Sequence, residues 1–366
     1  MKAFYQLAAV AALVGSAFAQ TFSECDPTKK DGCPADPAFG TEHTFYFNET
    51  LDTAIWNMST GSIDYVDDGA EFTIHKEKES TLLQSNFYIF FGVVESWVKM
   101  AKGAGIISSV VLESDDLDEI DWEWVGYNTS SVQSNFFGKG NDSTFDRGGF
   151  HYVPNADTEF HNYTTYWDQD RLEWWIDNKL VRTVNYDQGN TLGGKNYPQT
   201  PCQVKISNWP AGTKSAAQGT VDWAGGLVNY DDAPFTMTVQ KIRIQDFHSG
   251  KEYTYGDKTG DWQSIKVADG NSTVLDELNK PPKKSLSEKW DDLGTGAHVG
   301  VYVGASAAGV ILIAGFLLWC LRQRRKGRLE YALDDARYTN ERTDAQNFQN
   351  DWKSTEWRNS GYRQVS

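Results

Sequence analysis

Cysteine is scarce in this chain, with four among 366 residues, so the fold must rest on a packed core and not on a framework of disulfides. Basic residues are also in deficit. The 34 lysines and arginines stand against 50 aspartates and glutamates, a formal charge of -16. The last stretch of chain is mildly basic, which leaves the remainder more acidic still. That balance disfavours nucleic acid and acidic polysaccharides as partners and is compatible with a neutral polymer. Histidine is rare, and neither His151 nor His161 belongs to a set of two histidines and a carboxylate at metal-ligand spacing. No catalytic metal and no cofactor are expected. Between His43 and Phe247 no stretch keeps a 3.6-residue period for three turns and no repeat is visible, which argues against a helical bundle or a solenoid.

What this region does contain is a succession of short β-branched and aromatic runs. "TFYFN", "EFTIHK", "GIISSVVLE", "VQSNFF", "RLEWWID", "KLVRTVNY" and "FTMTVQKIRIQDF" are separated by Gly, Asn, Asp and Pro, the pattern of an all-β sandwich.

The ends of the chain read differently. Residues 1–19 carry a lysine, the apolar run "FYQLAAVAALVG" and the small-x-small ending Ala17-Phe18-Ala19, the pattern of a cleaved secretory signal. From Val299 to Leu321 the chain is uncharged, and "RQRRKGR" follows at once. A run of about 20 apolar residues is long enough to cross a bilayer, and the basic cluster places residues 322–366 in the cytoplasm. That tail is polar and is expected to be disordered. Residues 263–298 lose the strand pattern and gain charge and proline, as a stalk would. The expected order is therefore a signal peptide (1–19), a domain (20–262), a stalk (263–298), a transmembrane helix (299–321) and a cytoplasmic tail. In the span, Gly300-x-x-x-Gly304 could support helix pairing, although glycine is common in spans.

Six N-x-S/T sequons, at Asn48, Asn57, Asn128, Asn141, Asn162 and Asn271, all precede the span, in keeping with a lumenal or extracellular location and with glycosylation there. Cys25 and Cys33 bracket the loop "DPTKKDG" and are expected to pair in that oxidising compartment. Cys202 then reads as a buried free thiol. Cys320 faces the membrane or, less favourably, accepts an acyl chain.

The run "DEIDWEW" from Asp118 to Trp124 carries the chemistry. On a strand Glu119, Asp121 and Glu123 share one face, while Ile120, Trp122 and Trp124 share the other. The apolar face belongs to a core. Three like charges at two-residue spacing repel one another, a cost to stability unless it serves chemistry. A retaining glycosidase needs one carboxylate as nucleophile and one carboxylic acid as proton donor. An intervening aspartate can help hold the two in opposite protonation states.

At these residues the sequence resembles the family-16 glycoside hydrolases, whose E-x-D-x-E pattern lies on one strand of a β-jelly roll. "SDDLDEIDWEWVG", "QSNFFGKG", "FHNYTTYWDQDRLEWWIDNKLVRT", "WPAG", "GTVDWAGG", "DAPFTM" and "YTYGDKTGDW" are similar to the fungal Crh-type, or Congo-red-hypersensitive, chitin-glucan cross-linking transglycosylases. The resemblance implies Glu119 as nucleophile, Asp121 as its helper and Glu123 as acid/base, with chitin as donor and chitin or β-glucan as acceptor. It also implies that Gln133 and Asn135, which alternation puts on one face with Phe137, line the cleft. Taken alone, that polar pair reads as a solvated strand face. Trp209 and Trp223, in Gly/Pro-bearing loops, are candidate sugar platforms, and Arg147 is a candidate hydroxyl donor or a surface ion pair. Trp174 and Trp175 point to opposite faces, so at least one is core. Two departures from the family stand out: there is no cysteine-rich chitin-binding module, and a span with a tail replaces the lipid-anchor signal of many members. An endo-β-glycosidase that only hydrolyses, or a membrane-anchored polysaccharide-binding protein, remains the alternative.

Overall fold

In the computed structural model the described residues are 22–144, 146–280, 290 and 293–358. The expected signal peptide and residues 281–289 of the expected stalk lie outside them. The chain divides into two compact units, with the boundary after Lys280.

The first unit is a β-sandwich, as the strand pattern predicts. One sheet has seven strands in the spatial order Gly149–Tyr152, Ser131–Phe137, Glu119–Val125, Ile106–Ser114, Cys202–Pro210, Thr81–Ile89 and Trp56–Thr60. The other is built round the long strand Phe235–Asp246, flanked by Gly92–Lys99, His161–Trp167 and Arg171–Ile176 on one side and Gly69–Ile74 on the other. Alternation puts one side of each strand into the space between the sheets. There Trp122, Trp124, Trp167, Trp174 and Tyr163 are almost fully buried, and Trp124 meets Tyr163 edge to face at 4.6 Å. Each such side chain removes roughly 150–250 Å² from water, so this aromatic core supplies the stability that four cysteines cannot.

The start of the expected stalk is corrected by the structure. Ile265–Val267 pairs with Glu252–Tyr255, and Ser272 caps the helix Thr273–Leu278 by accepting from the Leu275 amide while its hydroxyl donates to the Phe39 carbonyl. Val274 enters the core. Residues up to Lys280 thus belong to the globular unit.

The second unit is the helix Thr295–Arg358, which is long and apolar enough to cross a membrane by length and composition. It runs on through the segment expected to be disordered. In "EYALDDARYTNERTDAQNFQND" residues that favour helix (Ala, Glu, Arg, Gln, Leu) alternate with Asp, Asn and Thr, which do not, and its described side chains are exposed.

Candidate active site

The three acids lie on Glu119–Val125 as alternation demands, with Ile120, Trp122 and Trp124 buried behind them. Register places their neighbours in three rows across the outer face of the seven-stranded sheet. Phe137, Glu119, Glu113 and Gln203 form one row. Asn135, Asp121, Val111 and Lys205 form the next, and Gln133, Glu123, Ser109 and Ser207 the third. Directly opposed residues stand about 4.5–5.5 Å apart at Cβ. Four carboxylates therefore crowd onto two adjacent strands. Glu113 and Asp121 are 2% and 1% exposed although they lie on the outer face, so this surface is recessed and not a solvated flank.

The strand is held at its N-terminal end and from behind. Asp118 is fully buried and accepts from the Lys139 amide at 2.8 Å, the Gln199 amide at 2.7 Å and the Thr200 hydroxyl at 2.8 Å. Asp116 accepts from the hydroxyls of Ser114 and Thr200. These two acids pin a turn in which Leu117 adopts φ 66°, a region that costs a branched side chain energy unless its surroundings enforce it. From the opposite sheet the Trp174 indole donates to the Asp121 carbonyl at 3.0 Å. Trp174 is thus the core member of its pair, and Trp175, half-buried, donates to Glu173.

Burial and mutual repulsion set the protonation of the cluster. Burial pushes Glu123 up to about 8, and the Glu119 carboxylate adds to the shift. Asp121 is held well above the usual carboxylate range by burial first, then by the charges of Glu119 and Glu123 and a hydrogen bond to Glu119. Burial also raises Glu113, against the pull of Lys205. Like charges this close resist ionising together, so Glu119, Asp121 and Glu123 titrate as a coupled set.

Gln133 and Trp223 come together beside Glu123, where the indole N–H donates to Gln133 Oε1 at 2.7 Å. Asn135 lies beside Asp121 with its Oδ1 buried and without a partner among the described residues. Trp209 is on the strand Cys202–Pro210 and Trp223 ends the short helix Gln218–Trp223, so neither is in a loop. Both rings are half-buried against a small cluster of Ile107, Val125, Ala211 and Ala224.

Arg147 is not an open hydroxyl donor. It is 3% exposed, and its guanidinium is spent on the Phe136, Asn141 and Thr144 carbonyls and the Thr144 hydroxyl, closing the loop before Gly149–Tyr152. His151 bonds to Ser134, and His161 to Asp177 and the Pro154 carbonyl.

Cys25 and Cys33 are joined, with Cα atoms 5.6 Å apart, and Cys202 is a buried free thiol. Among the sequons, Asn48, Asn57 and Asn271 are exposed and Asn128 and Asn141 partly so. Asn162 differs: it is 8% exposed within a strand and its Oδ1 accepts from Thr164, a setting with no room for a glycan.

Sequence reasoning missed two groups of residues. Phe150 and Tyr152, 56% and 78% exposed, stand opposite Gln133 and Ser131 on the edge strand and extend the outer face with bare rings. The alternation in "FHY" was the available signal. The other group is the buried pair Lys205 and Glu113, which no local pattern marks.

Comparison with known proteins agrees with this geometry. Residues 50–225 match the family model for glycosyl hydrolases family 16. "Crh-like protein 3" of Aspergillus fumigatus is 60% identical over 366 residues, all of both chains. The chain belongs to the Crh-like proteins of glycosyl hydrolases family 16. "Congo red hypersensitive protein 1" of Saccharomyces cerevisiae is 44% identical over 250 residues, 68% of this Crh-like chain and 48% of the yeast protein. A solved structure of "Crh5 transglycosylase in complex with NAG" superposes with a TM-score of 0.64 at 40% identity, covering 67% of this chain and 100% of that one. The sandwich is accordingly a family-16 jelly roll, and this Crh-like protein is an enzyme of the glycosidase and transglycosylase type.

Proposed function

We propose that the protein is a cell-wall transglycosylase that works by retaining double displacement. The Glu119 carboxylate attacks the anomeric carbon of the donor while the Glu123 carboxylic acid gives its proton to the departing glycosidic oxygen. The donor chain is then an ester on Glu119. Glu123, now a carboxylate, takes the proton of an incoming sugar hydroxyl as that oxygen displaces Glu119, and the configuration is retained. Asp121, kept neutral, hydrogen-bonds to Glu119 and steadies its charge.

The observation that carries this reading is the single recessed face that Glu119, Asp121 and Glu123 share, with Asp121 buried between two partly exposed glutamates and Glu123 raised to about 8, so that an acid is available near neutrality. Chitin as donor, and chitin or β-glucan as acceptor, are neutral polymers that suit the acidic domain, and the relatives named above support that choice. Transfer over hydrolysis is favoured by Phe150 and Tyr152. Phe150 extends the row of Gln133 and Glu123, and Tyr152 stands beyond it opposite Ser131, beside the proposed acid/base, where ring stacking can hold an acceptor sugar against competition from water. The helix Thr295–Arg358 anchors the domain on the outer surface, with the basic cluster inside.

The test is to incubate the protein with chitin and fluorescent chitin or glucan oligosaccharides. Polymer-bound label is expected. Reducing ends without label transfer would favour the endo-glycosidase reading. In sealed cells, added protease is expected to release the domain and spare a C-terminal epitope, and loss of that epitope reverses the orientation.

A further inference from the structure

A buried ion pair lies in the floor of the cleft, its acid one strand and its lysine two strands from the proposed nucleophile. Lys205 Nζ is 2.8 Å from Glu113 Oε2, with side chains 4% and 1% exposed. The second oxygen of Glu113 accepts from the Phe22 amide at 2.9 Å, and the Phe22 ring lies under the same ammonium at 5.2 Å. Phe22 stands three residues before Cys25, where the loop closed by the Cys25–Cys33 disulfide begins. Glu113 is directly opposite Glu119, and Lys205 is in the row of Asp121.

A buried lysine is costly unless something in the fold or the chemistry requires it. The groups facing Glu119 show what that is. Its own strand presents Asp121 and Glu123, the strand Ile106–Ser114 presents Glu113, and Ser131–Phe137 presents the uncharged Phe137, Asn135 and Gln133. Against four carboxylates, the strand Cys202–Pro210 contributes the ammonium of Lys205.

We propose that Lys205 and Glu113 form a positioning pair that sets the ionisation of Glu119: the lysine holds the nucleophile as its carboxylate, and Glu113, clamped by the Phe22 amide, fixes where the lysine sits. The proposal deepens the catalytic reading above and rests on it. It requires opposite effects from the two partners. Removing the ammonium makes Glu119 harder to ionise, whereas neutralising Glu113 removes a like charge and leaves the ammonium more fully to Glu119. A purely architectural pair gives loss of activity in both cases with no movement of the pH profile.

The experiment uses the full chain in detergent micelles and an aryl chito-oligosaccharide donor, whose good leaving group makes the first step independent of Glu123 and isolates the acid limb of kcat/KM. At an effective dielectric of about 20, the Lys205 ammonium, two strands and so about 10 Å from Glu119, is felt as about one pH unit. Lys205→Met is expected to move the limb up by that amount, about a tenfold loss at pH values below it. Glu113→Gln is expected to move it down, and Lys205→Arg to restore the wild-type position. The double variant Lys205→Met/Glu113→Gln replaces the pair with neutral groups of similar size and is expected to lie between the two single variants. It carries the test if Lys205→Met alone does not fold. Limbs that coincide in the wild type, Glu113→Gln and the double variant, with Glu119→Gln inactive, overturn this inference and leave the catalytic reading standing. A wild type inert on this donor, or an active Glu119→Gln, overturns both.

Discussion

The acid/base assignment makes a quantitative demand on the basic limb of the pH profile. Glu123 must be protonated to start the reaction, and burial together with the Glu119 charge raises it to about 8. The active form is the acid, so activity is present below that value and lost as pH rises through it. For a single group of that pKa, the protonated fraction is about nine-tenths at pH 7, half at pH 8 and one-tenth at pH 9. With an unactivated chito-oligosaccharide, kcat/KM is expected to fall by roughly that course. Removing the group by Glu123→Gln should lower the plateau by about 10²–10⁴-fold, the usual worth of a positioned acid, and erase the limb. With an aryl leaving group that needs no proton, the first step should survive in Glu123→Gln, and azide should trap the β-glycosyl azide with retained configuration. Burial, with the charges of Glu119 and Glu123, holds Asp121 well above the usual carboxylate range as well. A basic limb near pH 8 that persists in Glu123→Gln, or an α-azide product, refutes the assignment.

Three further outcomes are expected. Trp223→Phe loses the 2.7 Å bond to Gln133 but keeps most of the ring, so KM for the polymer should rise several-fold, as about 1 kcal/mol of lost hydrogen bonding implies, while Tm shifts by only a few degrees; a large drop in Tm with KM unchanged would show that the ring serves packing alone. Asp36, buried with Oδ2 unpartnered among the described residues, is raised to about 9 by burial, Asp115 and Asp116. Its contribution to stability is therefore whole below about pH 4 and lost as pH rises toward 9, at up to about 1.4 kcal/mol per pH unit, and the Tm advantage of Asp36→Asn over wild type should widen between pH 5 and 8; a gap that stays constant or narrows contradicts the buried-acid reading. Glycopeptide mapping should find no glycan at Asn162, and a glycan there contradicts the buried strand position.

The alternation in "DEIDWEW" was legible because a strand's period of two assigns faces without reference to anything distant, and the tryptophans say which face is inside. The shared face of Gln133 and Asn135 was legible for the same reason, but their place in the cleft followed only from the family resemblance. Arg147 was not, since its role depends on a loop folding back so that three carbonyls reach one guanidinium. The segment from 263 to 280 reads as stalk because a three-residue strand and a six-residue helix are too short to show a period, and their partners, Glu252–Tyr255 and Phe39, are declared only by the folded sheet. Lys205 sits in "QVKISNW" as an ordinary strand lysine. Its burial follows from pairing with Ile106–Ser114, which the sequence does not announce.

That pairing also bears on when activity can first arise. Lys205 and Glu113 are 92 residues apart along the chain, and closing a loop of that length costs about 4 kcal/mol of chain entropy beyond the constant term. The strands that carry the acids can form a local meander early. The strand that brings the lysine must wait until most of the domain has been made and both of its edges are found, the slow, non-local step of a sandwich. A partly folded chain would thus hold its acids without the ammonium, unable to take up a glycosyl group until that strand is in place.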